Sequence, residues 1–220
     1  MVSSRGLSSV SDVTVTPYKN IVCLLSGYDT DSEEDPSGSV DTWYGGTGFY
    51  VYSNLFLTAG HNVYNMDLLL YASTILIYRY QNASSLGSTY YATTFWYVPA
   101  QFTVNLNPDY DWAIIRSTSA ASTSWFGYSY TSSSITNKSV ASAGYPGIYS
   151  YYMKSTSGTM SSTSAYQFSS TLSCYEGQSG SPVYDSNYIV WGELQSRDSN
   201  YNGLGCRITS SIYSMIEALK

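Results

Sequence analysis

Charge is scarce in this chain. Charged residues fill 11% of its 220 positions, against roughly 25% in an average soluble domain. The balance is acidic, with a net charge of -6, so a phosphate backbone would be repelled and no nucleic-acid partner is expected. No stretch approaches the ~20 apolar residues that span a bilayer. The most apolar run, from Leu68 to Tyr80, is broken by Ser, Thr and Arg, and no membrane partner is expected. Residues 1–12 hold no apolar signal core. Cysteine occurs three times, as Cys23, Cys174 and Cys206. The odd count excludes a fully paired framework, and the spacing matches no zinc site. At most one internal disulfide can form, and three small buried hydrophobes are an equal alternative. Histidine occurs once, as His61.

Serine, threonine, glycine and 25 tyrosines stand where charge would. Hydroxyl side chains compete with helical backbone bonds and aromatics suit pleated surfaces, so short strands and tight turns are favoured. The runs Ile21-Val22-Cys23-Leu24-Leu25, Gly48-Phe49-Tyr50-Val51-Tyr52, Leu55-Phe56-Leu57-Thr58 and Leu68 through Tyr80 read as strands. So do Trp112-Ala113-Ile114-Ile115, Ser139-Val140-Ala141-Ser142-Ala143, Ser181-Pro182-Val183-Tyr184 and Tyr188-Ile189-Val190-Trp191. Gly, Asn, Asp and Ser separate them, which points to an all-β barrel or sandwich. Only the end reads as a helix: Ile212, Met215, Ile216 and Leu219 fall at helical spacing after Thr209 or Ser210 as N-cap. The length suits one domain. The acidic loop from Asp29 to Asp41 reads as solvated, and neither metal nor cofactor is expected.

Three short segments carry chemistry. In Leu57-Thr58-Ala59-Gly60-His61 the lone imidazole follows small residues that leave room for a substrate, and imidazole is the readiest proton shuttle near neutral pH. In Gly177-Gln178-Ser179-Gly180-Ser181-Pro182 the glycines allow a sharp turn that presents the Ser179 hydroxyl. The N–H groups of Gly177 and Ser179 would face a developing oxyanion. In Asn107-Pro108-Asp109-Tyr110-Asp111-Trp112, Asp111 directly precedes an apolar strand and can orient the imidazole, while Asp109 stays in the turn. The order His, Asp, Ser is that of chymotrypsin-like enzymes, distinct from subtilisins and α/β-hydrolases.

These motifs, together with Phe126-Gly127-Tyr128-Ser129-Tyr130, Gly144-Tyr145-Pro146-Gly147 and Arg207-Ile208-Thr209, resemble the bacterial glutamyl endopeptidases, a branch of the chymotrypsin-like serine proteases. The resemblance runs from about Gly46 to the end. It implies two packed six-stranded antiparallel β-barrels and a C-terminal helix, divided near residue 120, with His61 and Asp111 in the first half and Ser179 in the second. It implies a secreted, extracellular, monomeric endopeptidase acting on proteins or peptides, or else a catalytically silent homologue serving as a surface binding module. In that branch a pocket histidine reads the substrate carboxylate, and Leu194 falls at its place. Arg197 could supply the positive charge instead, or the pocket prefers apolar side chains. The resemblance also gives the mature N-terminal amine, here Val2 if Met1 is removed, a part in carboxylate binding. Cys174 falls on the pocket wall with Cys206 on a flanking strand, so a Cys174–Cys206 bridge is the expected pairing.

Overall fold

The structure, a computed structural model, describes residues 6–30, 40–87 and 89–220. Val2 and the acidic residues 31, 33 and 34 of the early loop lie outside the described residues.

Continuous apolar strands form where both faces are buried, and the first half shows this directly. In Ile21–Tyr28, Ile21 and Cys23 face one cluster while Val22 and Leu24 face another. Leu57 and Ile114 likewise turn one way, and Phe56, Ala113 and Ile115 the other. Ile21–Tyr28 pairs with Thr42–Tyr52 and Thr74–Arg79, and Thr42–Tyr52 pairs with Leu55–Thr58, all antiparallel. Ala113–Arg116 then adds to Leu55–Thr58, within a curled sheet of seven strands.

The second half is a closed barrel of six strands. Its order runs Lys154–Ser162, Lys138–Gly144, Pro182–Tyr184, Ile189–Arg197, Asn202–Arg207, Gln167–Ser173 and back to Lys154–Ser162. Met160, Phe168, Leu172, Val183 and Leu194 fill it. The Phe168 ring packs where side chains at Gly192 and Gly205 would stand; a Cβ at either would come within 2.6 to 2.8 Å of it. The expected pair of barrels is therefore present as one closed barrel and one curled half-barrel, the chymotrypsin-like arrangement, with a C-terminal helix.

A third cluster joins the halves. Ile21, Phe49, Leu57, Trp112 and Ile114 meet Tyr145, Met153, Tyr184, Val190 and Ile208. The helix Ser210–Leu219 seals this seam with Ile212 and Ile216. Its N-cap is Thr209, whose side chain accepts from the Ile212 N–H, and the Arg116 guanidinium donates to the Leu219 carbonyl at the other end. The expected helix and cap are thus in place.

The expected Cys174–Cys206 bridge is not. All three cysteines are free and buried. Cys174 faces the barrel interior, whereas Cys206 faces the seam between the halves, where its sulfur lies 3.4 Å from the Asp109 carbonyl oxygen and 3.6 Å from that of Pro108. The two thiols point to opposite sides of the barrel wall, and that separates them.

Candidate active site

The strand Leu55–Thr58 ends in one tight turn, Gly60–Asn62, that carries His61. The facing strand Ala113–Arg116 sets Ala113 opposite Thr58, which brings Asp111 over Gly60. A Cβ on Gly60 would lie 3.0 Å from Asp111 Oδ1, so the small residue keeps the approach open. Asp111 is buried and grips His61 twice. Oδ1 accepts the His61 backbone N–H at 2.8 Å, and Oδ2 lies 2.8 Å from Nδ1. Nδ1 therefore carries the proton and Nε2 keeps its lone pair. Burial alone would lower the imidazole, but the charge of Asp111 and its hydrogen bond outweigh it, so His61 sits above its ordinary value of 6.5. A quarter of its side-chain surface still reaches solvent.

Ser179 lies on a turn that only glycine permits. Gly177 and Gly180 have φ of 89° and 84°, and a Cβ on either would run into backbone, the Tyr145 carbonyl and the Thr47 carbonyl respectively. Among the described residues no acceptor takes the N–H of Gly177 or of Ser179. The Ser179 hydroxyl donates to the Gln195 carbonyl at 3.1 Å.

Three residues outside the motif readings, with Thr58 from inside one, hold this turn against the histidine turn. Thr47 N–H and Asn62 Nδ2 both donate to the Ser179 carbonyl at 2.9 Å. Thr58 Oγ1 accepts from Asn62 at 2.8 Å and donates to the Thr47 carbonyl at 2.7 Å. Gln195 closes the other side: its carbonyl accepts from Ser179 and its Nε2 donates to the Asp111 carbonyl at 2.9 Å. Asn62 is buried, so its amide has to be satisfied by neighbours, and Thr58 and Ser179 do so.

A cavity of about 260 Å³ opens beside Ser179, walled by Cys174, Tyr175, Gln195, Ser196 and Arg197, with Glu176 on its rim. Burial pushes the Cys174 thiol up to about 12, with Arg197 opposing and Glu193 reinforcing the shift. Cys174 is thus an apolar wall. Leu194 does not line the cavity; it is fully buried behind Cys174 in the barrel. Arg197 stacks on Tyr201, 4.2 Å from the ring centroid, and reaches 3.7 Å from Glu176, whose side chain is 91% exposed. Another cavity, of about 440 Å³ against Tyr18, Val140 and Tyr184, contains none of these groups.

Beneath the Ser179 turn, Glu193 is fully buried, and its two carboxyl oxygens meet no hydrogen-bond partner among the described residues. Burial first, and then the charge of Asp111, hold it well above its ordinary 4.5; the nearby Gly180 N–H is committed to the Leu194 carbonyl and offsets little. An acid that keeps its proton only in the folded chain favours unfolding as pH rises. The folded state is therefore favoured most below 4.5 and loses that contribution from there toward the folded value. Thermal melts of Glu193→Gln should show a melting point that gains on the wild type between that pH and neutrality. Parallel curves would mean that the carboxyl is ionised and paired.

Comparison with known proteins agrees with this geometry. The signature of the trypsin-like peptidase domain matches residues 46–192. A protein of Bacillus subtilis (strain 168) named extracellular metalloprotease is 32% identical over 99% of this chain and 68% of its own length. A glutamyl endopeptidase of Bacillus licheniformis is 27% identical over 85% of this chain and 55% of its own, so the chain spans about half of that relative. Among solved structures, a Glu endopeptidase in complex with MPD superposes with a TM-score of 0.79 at 22% identity, covering 98% of this chain and 96% of that one.

Proposed function

The chain belongs to the trypsin-like peptidase family, and from that premise we propose that it is an endopeptidase in which Ser179 is the nucleophile, His61 the proton shuttle and Asp111 the carboxylate that orients it. The observation that carries the reading is the double grip of Asp111 on His61, which leaves Nε2 as the free base. Rotation about the Ser179 side chain moves its hydroxyl from the Gln195 carbonyl to Nε2. Ser179 Oγ then attacks the substrate carbonyl while His61 takes its proton. The oxyanion so formed accepts from the N–H groups of Gly177 and Ser179. His61 returns the proton to the leaving amine, and water hydrolyses the acyl-enzyme by the same path in reverse. The substrates are proteins or peptides met outside the cell, and the enzyme acts as a monomer.

A metal-centred site does not fit these residues. The only histidine is engaged by Asp111, and among the described residues no three His, Cys, Asp or Glu side chains converge on a metal position. Treatment with a fluorophosphonate should abolish cleavage and add one label, which peptide mapping places on Ser179, while phenanthroline should leave the rate unchanged. The reverse pattern would reject the serine mechanism.

For the residue before the cut we propose an acidic side chain read by Arg197. The exposed Glu176 is a weak partner at 3.7 Å, and surface pairs contribute only about 0–1 kcal/mol, so a substrate carboxylate can displace it. Arg197→Met should lower kcat/KM for glutamyl peptides by about 10- to 100-fold, the worth of a hydrogen bond to a charged group, with little change for leucyl peptides. Equal losses on both would assign the pocket an apolar preference.

A further inference from the structure

Adjoining the Ser179 turn at Glu176 and Gly177 lies a second cavity, of about 360 Å³, that the acyl half of the reaction leaves unused. Its walls include Trp43, Tyr44, Gly45 and Tyr151, and it reaches Glu176 and Gly177. Glu176 lines both cavities, and the turn contributes Ser179 to the first and Gly177 to the second. A substrate whose acyl-side residue enters the Arg197 cavity, and whose carbonyl oxygen faces the Gly177 N–H, must send the chain beyond the cut past Gly177 and over Gly45. That path ends in the second cavity.

The walls define what fits there. Trp43 and Tyr44 are 41% and 48% exposed, large for aromatic residues in a regular strand. Tyr44 is braced edge-on by Tyr28, with ring centroids 5.6 Å apart. Between these rings and the nucleophile turn the strand carries two glycines. A Cβ on Gly46 would strike the Asn62 side chain at 2.6 Å, so Gly46 is fixed by packing. Among the described residues a Cβ on Gly45 would meet nothing within 4 Å, although Gly45 is regularly paired with Leu25. The open space at Gly45 is therefore not imposed by the fold. It keeps the cavity clear.

We propose that this cavity is a subsite for an aromatic side chain within two residues of the cut on the leaving side, with Trp43 and Tyr44 as its walls and Gly45 as its opening. Aromatic rings pack well edge-to-face against such walls. The proposal rests on Ser179 being the nucleophile.

The experiment uses peptides with one fixed acyl side, taken from mapped cuts in casein, and with Phe, Trp or Gly at each of the two positions after the bond. Wild type should cleave the best aromatic peptide at least about 10-fold faster in kcat/KM than the glycyl one, the scale on which filling an apolar pocket discriminates. Gly45→Leu should erase most of that ratio, and Gly45→Ala should reduce it in part. The ratio is internal to each enzyme, so a partly unfolded preparation does not mimic the effect. Equal wild-type rates for aromatic and glycyl peptides, or an unchanged ratio in Gly45→Leu, would overturn the subsite. The methyl ester of the same acyl peptide carries no residue beyond the bond. Its hydrolysis by wild type, abolished by Ser179→Ala, separates these outcomes from a failure of the catalytic reading, which would remove both.

Discussion

Replacing Ser179 with alanine should lower kcat for casein or peptide cleavage by about a million-fold, the loss seen when a triad nucleophile is removed. The size follows from the chemistry, because the other hydroxyls lining the cavity, those of Tyr175 and Ser196, stand outside the Gly177–Gly180 turn whose N–H groups would receive the oxyanion. The neighbouring thiol, Cys174, is buried and pushed up to about 12, so almost none is thiolate near neutrality. Folding should barely change. The hydroxyl makes one hydrogen bond, to the Gln195 carbonyl, worth about 1 kcal/mol, and the turn itself is held through the Ser179 carbonyl by Thr47 and Asn62. The cavity walls also stay, so KM should move little. Steady-state kinetics with a thermal melt on the same preparation decide the matter. A fall of less than tenfold with an intact melt would put the nucleophile elsewhere and favour the silent binding module, with adventitious protease as the source of cleavage.

Much of this site could be read from the chain because its chemistry uses rare residue types. One histidine after Thr58-Ala59-Gly60, and an aspartate just before an apolar strand, leave few alternatives. The helix was equally legible, since Ile212 and Ile216 repeat at its period and Thr209 caps it. The strands Lys154–Ser162, Gln167–Ser173 and Asn202–Arg207 were not. Their inward positions include Ser170 and Gly205 beside Met160 and Phe168, and the Phe168 ring fits only because Gly205 and the neighbouring Gly192 are small. Hydrophobic alternation vanishes from such strands. Thr47, Asn62 and Gln195 were hidden for another reason. Their partners are backbone carbonyls from the other half of the chain, and nothing local in sequence marks a bond of that span. The cysteine pairing failed in the same way, since only the wall between Cys174 and Cys206 decides that they face apart.

Asp111→Asn tests the orienting carboxylate, and the geometry fixes how it should fail. Asparagine is isosteric, so its oxygen can keep the bond from the His61 backbone N–H that Oδ1 now accepts. Its amide then occupies the place of Oδ2 and donates to Nδ1, where Oδ2 now accepts. Nδ1 becomes an acceptor, the ring proton moves to Nε2, and no lone pair is left for the Ser179 proton. The expected cost is about 10,000-fold in kcat near neutral pH, with KM little changed because Asp111 does not line the substrate cavity. The pH profile should move as well. In wild type the acidic limb of kcat/KM lies above 6.5, because the charge and hydrogen bond of Asp111 overcome the effect of burial on His61. With that charge gone, burial acts alone and the limb should shift downward, so the residual activity persists to lower pH than in wild type. A merely structural aspartate would cost stability and leave the limb in place. A large loss of kcat with an unmoved limb would therefore mean that the base titrating in the profile is not His61.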